Sequence, residues 1–114
     1  MKYIIESSTK EVSLEREEII KKKFQRFEKK LQGLIRCDIK LKKEKNDEQN
    51  AYIVEGRLHI SGNDLFAKEQ ASSYELAAEN VCIDLENQIR KQKEKKNKKA
   101  IKPIDQLVND EELE

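Results

Sequence analysis

From Tyr74 to Lys99 the chain has neither glycine nor proline, and the front of this run repeats Tyr74, Ala77, Ala78, Val81, Leu85 and Ile89. Steps of three and four residues place these side chains in one stripe along a helix. Ser72 and Glu75 read as a capping box, with the hydroxyl taking an orphan N–H and the carboxylate reaching back. About 25 residues, or about 37 Å, fit one helix. Past Ile89 the stripe ends, and Arg90, Lys91, Lys93, Lys95, Lys96, Lys98, Lys99 and Lys102 follow with Glu94 the only acid among them. A helix anchored by its front half and cationic along its back half suits a long polyanion.

The rest of the chain must supply what that stripe packs on. Tyr3, Ile4 and Ile5 form a short strand. Ser13 is an N-cap, with Glu15, Glu17 and Glu18 in the first turns, where the helix dipole favours acids. Ile20, Phe24, Phe27 and Leu31 follow at helical spacing, and Gly33 supplies a stop, so a first helix is expected over residues 14–32. The period then changes to two. Ile35, Cys37, Ile39 and Leu41 alternate with Arg36, Asp38, Lys40 and Lys42, and Tyr52, Val54, Gly56, Leu58 and Ile60 alternate with Glu55, Arg57 and His59. Ser61-Gly62-Asn63-Asp64 is turn chemistry, and a last strand begins at Leu65 and runs to about Ala71.

The fold class is therefore α+β in the order β-α-β-β-β-α. Strands one and two are parallel, strands two to four form an antiparallel meander, and both helices lie on one face of a four-stranded mixed sheet. The other face, with Lys40, Lys42, Arg57, His59 and Lys68, meets solvent or a partner. Two units are expected: a folded domain over 1–99 and an acidic tail over 100–114 that is disordered when free.

Charged residues make up 41% of the chain, yet the formal net charge is only +1. The distribution explains the mismatch. Residues 104–114 hold five acids and no base, which is the whole difference between +1 and about +6 for the remainder. No apolar run approaches the 18 or so residues of a membrane span, and the start of the chain is too soon charged for a signal peptide, so a cytoplasmic protein is expected. Cys37 and Cys82 fall on core faces and read as buried, reduced thiols. His59 is the only histidine, on the polar side of a strand, and no catalytic constellation, metal set, cofactor loop or small-molecule site is legible. If the two helices run parallel, the bases of their second halves form two rows of cations for phosphate. Aromatic residues are few, with Phe24, Phe27 and Tyr52 as core candidates, so backbone contacts are expected to outweigh base stacking.

The stretch Leu58-His59-Ile60-Ser61-Gly62-Asn63-Asp64-Leu65-Phe66-Ala67-Lys68, then Ser73-Tyr74-Glu75 and Gln88-Ile89-Arg90-Lys91-Gln92-Lys93-Glu94-Lys95, resembles the ribosome hibernation-promoting factor family. That family includes ribosome-associated inhibitor A and was once called sigma-54 modulation protein. Val12-Ser13 leading into Lys22-Lys23-Phe24-Gln25-Arg26-Phe27-Glu28-Lys29 is similar as well, and the resemblance covers about residues 2–98. It implies a fold similar to a double-stranded-RNA-binding domain. It implies a non-enzymatic translation inhibitor, monomeric when free, that binds the small ribosomal subunit at the decoding centre against 16S ribosomal RNA and silences idle ribosomes by blocking tRNA and mRNA sites. A chain ending at Glu114 resembles the short members, and a tail ending in acids suggests contact with ribosomal proteins lining the mRNA channel.

By this resemblance Lys23, Arg26 and Lys29 on the first helix contact RNA, with Lys30 beside them and Arg90 and Lys91 on the second helix. These first-helix bases flank the apolar stripe, so reversing the charge of Lys23, Arg26 and Lys29 is expected to remove binding and spare the fold. Asp84 and Asn87 stand where many members carry bases, which shifts the footprint toward Lys91, Lys95 and Lys98. A generic double-stranded-RNA-binding module and a basic protein-interaction adaptor are the alternative functions.

Overall fold

The computed structural model describes residues 2–8, 12–45 and 49–100, with 93–100 as backbone alone. The elements are β1 (Lys2–Ser7), α1 (Leu14–Phe24), α2 (Arg26–Lys30), β2 (Leu34–Lys43), β3 (Tyr52–Ile60), β4 (Asn63–Ala71) and α3 (Tyr74–Ala100). They form an α+β fold with one sheet in the order β1-β2-β3-β4. β1 pairs parallel to β2, and the other two pairings are antiparallel. The expected order holds, with one refinement: the first helix is two helices.

The period of two decides the sheet's inner face. Cys37, Ile39, Leu41, Val54 and Leu58 are fully buried, with Leu65 and Ala67 nearly so. Ile20, Phe24 and Phe27 come down on them from α1 and α2, and Val81, Cys82 and Leu85 from α3. Each large side chain so buried contributes about 1.5–3 kcal/mol. Gly56 marks the point where both helices press closest. A Cβ there would stand 2.8 Å from Phe24 Cε2 and 2.9 Å from Val81 Cγ1.

The helix expected over 14–32 breaks at Gln25 and ends at Lys30. At the break the Gln25 N–H is shared between the Lys21 and Lys22 carbonyls, and the Glu28 N–H reaches back only three residues to Gln25. The Lys23 carbonyl instead accepts from Arg26 Nε and the Cys82 thiol. Tight bonds and a side chain inserted into the ladder bend a helix. Gly33, at φ +82°, serves the turn into β2.

Three other sequence expectations shift. Ile35 is 60% exposed, because the β2–β3 register slips between Leu34 and Arg36 and turns Ile35 away from the core. β4 starts at Asn63, because Ile60 pairs with Asn63 and only Ser61 and Gly62 close the hairpin, with Gly62 at φ +84°. The cap of α3 is Ser73, whose Oγ accepts from the Leu76 N–H at 3.1 Å. Ser72 does not fill that role, and Glu75 turns to Arg16 instead. Ser13 caps α1 as expected, taking the Arg16 N–H at 3.1 Å. Residues 101–114, and so nearly all of the expected tail, lie outside the described residues.

Candidate nucleic-acid interface

The two helical segments run in the same direction. Arg16 meets Glu75 at 3.3 Å, Lys23 meets Glu79 at 3.5 Å and Arg26 meets Glu86 at 3.3 Å, so ion pairs advance together along both. The reason is local. With Ile20, Phe24 and Phe27 turned inward, Arg16, Lys23, Arg26 and Lys30 fall on the flank facing α3. Glu75, Glu79 and Glu86 form the matching stripe on α3. The first helical segments, from Arg16 to Lys30, thus lie against the first half of α3, from Glu75 to Glu86, and the expected meeting of second halves is limited to Lys29 and Lys30 beside Ile89 and Arg90.

Arg26 is the centre of this seam. Its Nη2 donates to Glu79 Oε1 at 2.8 Å, its Nη1 to Glu86 Oε1 at 3.3 Å and its Nε to the Lys23 carbonyl at 2.9 Å. All three guanidinium nitrogens are therefore occupied. Lys30 pairs with the other oxygen of Glu86. Arg26, first through its hydrogen bond, holds the Glu79 carboxyl below the usual carboxylate range.

Beyond the seam lies an open groove of about 490 Å³ lined by Lys29, Lys30, Glu86, Ile89 and Arg90. Lys29 is exposed and has no ion pair among the described residues. Arg90 is exposed and steadied by the Asn87 side-chain oxygen at 2.5 Å. Lys91 is exposed one residue further on. The sequence-expected set thus divides. Lys29, Lys30 and Arg90 share the groove, Lys91 is exposed but does not line it, and Lys23 and Arg26 are held between the helices. The side chains of Lys95 and Lys98 lie outside the described residues. Asp84, which departs from the bases many members of the resembled family carry, does not line the groove and lies by Glu69 of β4, whose carboxyl it pushes up.

The sheet's outer face is basic by sequence but closely neutralised. Arg36 pairs with Asp38 at 2.9 Å, Lys42 with Glu55 at 2.8 Å and Arg57 with Asp64 at 3.9 Å. His59 bridges Asp38 at 2.8 Å and Asp64 at 3.2 Å. Lys40 and Lys68 help hold the Glu55 carboxyl below its ordinary range, after the larger effect of Lys42. Arg36, Lys42 and Arg57 on this face are thus tied to acids, while Lys40 and Lys68 stay exposed.

Burial pushes the Cys37 and Cys82 thiols up to about 12, which makes both poor nucleophiles at neutral pH. Among the described residues no group of three or more His, Cys, Asp or Glu is placed to hold a metal ion, and no helix is long and apolar enough to cross a membrane. What the site can do chemically is hold a row of anionic groups. Glu79 and Glu86 hold Lys23, Arg26 and Lys30, and a search for bases passes over them. Their seven-residue spacing on the flank of an apolar stripe was the available signal.

The family model described as sigma 54 modulation protein / S30EA ribosomal protein matches residues 3–97. No curated protein matches the chain. Among solved structures, a ribosomal subunit interface protein from Coxiella burnetii superposes with a TM-score of 0.66 at 18% identity, over 82% of this chain and 98% of that one. The N-terminal domain of Protein Y from Thermus thermophilus superposes with a TM-score of 0.67 at 15% identity, over 80% of this chain and 98% of the other. Both share the fold.

Proposed function

The chain belongs to the sigma 54 modulation protein / S30EA ribosomal protein family, and on that premise we propose that it binds the small ribosomal subunit and silences idle ribosomes. The docking surface is the groove between α2 and α3, and the ligand is the phosphate backbone of 16S ribosomal RNA near the decoding centre. The mechanism is occupancy: tRNA and mRNA are excluded where this domain sits, and no covalent step is involved.

The observation that carries this reading is the partition of charge. On the outer sheet face Arg36, Lys42 and Arg57 are each paired with an acid, and the exposed Lys40 and Lys68 share that face with Asp38, Glu55 and Asp64. Lys29 of α2 and Arg90 of α3 instead line the groove from its two sides without an acidic partner among the described residues. Phosphate binding gains most from cations that need not first leave a carboxylate. The paucity of exposed aromatics favours backbone contact over base stacking. The structural likeness to a ribosomal subunit interface protein agrees with this partner.

Co-sedimentation with purified small subunits tests the reading. Binding that tRNA and mRNA displace supports it. Equal affinity for ribosomes and for free duplex RNA would assign the chain to general double-stranded-RNA binding instead.

A further inference from the structure

Three of the four bases that flank the first helical segments near the groove are already occupied in the free protein. Lys23, Arg26 and Lys30 are paired to Glu79 and Glu86, and only Lys29 is not. The two glutamates hold opposite sides of one guanidinium, as two phosphate oxygens would. They are partly buried, with Glu86 22% and Glu79 34% exposed, so bulk salt screens them less than it screens a surface pair. No packing need requires carboxylates here, since the apolar core lies beneath on Phe24, Phe27, Val81 and Leu85.

We propose that Glu79 and Glu86 are selectivity residues: internal phosphate mimics that keep Lys23, Arg26 and Lys30 from binding RNA at large. The inference deepens the proposed ribosomal role and rests on it for the identity of the favoured ligand. An isolated phosphate in the groove meets Lys29 and Arg90 as its unpaired cations. It gains little by drawing Arg26 away from two carboxylates and a carbonyl. A rigid array of phosphates that fills the groove engages the free cations first, and the paired ones then exchange one anion for another at small net cost. Ion pairs that keep this much solvent contact are individually weak, so such an exchange is within reach of a multivalent ligand. The result is weak binding to scattered RNA and retained binding to a matched surface.

The experiment compares the intact protein with Glu79→Gln, Glu86→Gln and the double variant on a short duplex RNA of arbitrary sequence. Glutamine keeps the size and an acceptor for Arg26 and removes only the charge. Glu75→Gln is the control, because it breaks the same kind of interhelical pair, with Arg16, at the far end of the seam. Thermal unfolding verifies that each variant is folded. Each cation released to phosphate steepens the salt dependence by about 0.7–0.9. The double variant is expected to bind the duplex more tightly, with a slope steeper by about 2, and to lose selectivity for small subunits over duplex RNA. Each single variant is expected to give part of the effect, and Glu75→Gln almost none. An unchanged slope in the folded single and double variants overturns the proposal and leaves the glutamates as helix staples. An equal gain from Glu75→Gln also overturns it, because net charge alone then explains the change. The duplex measurement uses no ribosomes, so it decides this inference whatever the outcome of ribosome placement.

Discussion

Arg26 Nη2 lies 2.8 Å from Glu79 Oε1, and this contact joins the short α2 to the long α3. Arg26 therefore does structural work that Lys29, three residues on and exposed, does not. Arg26→Ala should destabilise the fold by about 1–2 kcal/mol, since two part-buried carboxylates and a carbonyl each lose one of their two donors. Lys29→Ala should leave stability within about 0.5 kcal/mol and weaken small-subunit binding. Urea unfolding and co-sedimentation of both variants read the two effects separately. Equal stability of the two would remove the distinction. The charge reversal of Lys23, Arg26 and Lys29 together is no longer a clean binding test. It sets new carboxylates against Glu79 and Glu86. Lys29→Glu with Lys91→Glu is the cleaner pair.

Gly56 fixes how closely the helical layer approaches the sheet. With Phe24 Cε2 2.8 Å and Val81 Cγ1 2.9 Å from the place a Cβ would take, Gly56→Ala must push both helices outward or force both side chains off their rotamers. A loss of about 1–3 kcal/mol is expected, with a larger loss for Gly56→Val. Chemical denaturation measures it. Wild-type stability in Gly56→Ala would mean that the layer gives way freely.

The alternation around Gly56 made the sheet legible from sequence. Cys37, Ile39, Leu41, Val54 and Leu58 each follow a period of two, and a one-residue error would have turned all of them outward. Ile35 broke the pattern because a bulge depends on the partner strand as well as on its own residue type. The break at Gln25 was hidden for a similar reason. The Cys82 thiol and the Arg26 side chain that compete for the Lys23 carbonyl are 59 and 3 residues away, and neither is a helix breaker by itself. The bases of the interface were legible one by one. Their pairing was not, because residues 53–60 apart in sequence meet only once the helices are set side by side.

Cys37 has no exposed surface, and burial pushes its thiol up to about 12. Cys37→Ser replaces a weakly polar sulfur with a hydroxyl facing an apolar core, at an expected cost of about 1–3 kcal/mol. Both thiols should react with a maleimide or disulfide reagent only as fast as the protein opens. Rapid labelling of Cys37 in native buffer would contradict the burial of this strand face.

Glu69 carries the clearest pH signature. It sits on β4 opposite Val54 and shares a hydrogen bond with Asp84 of α3. That bond, then burial, then the Asp84 charge push its carboxyl up to about 7. In the unfolded chain a glutamate titrates near about 4.3. Between those values the native state binds more protons than the unfolded state, so this pair's contribution to stability falls as pH rises through the window. Asp38, Glu55 and Glu79 act in the opposite sense. Their carboxyls lie below the ordinary range, and their contribution is lost as the solution becomes more acidic than that range. Glu69→Gln supplies Asp84 with a permanent donor. It should be close to neutral at pH 5 and stabilising at pH 8, so the variant's stability should decline less between the two. Urea unfolding of both proteins at pH 5, 6.5 and 8 checks this. Parallel stability profiles for wild type and variant would show that the Glu69 carboxyl is not pushed up.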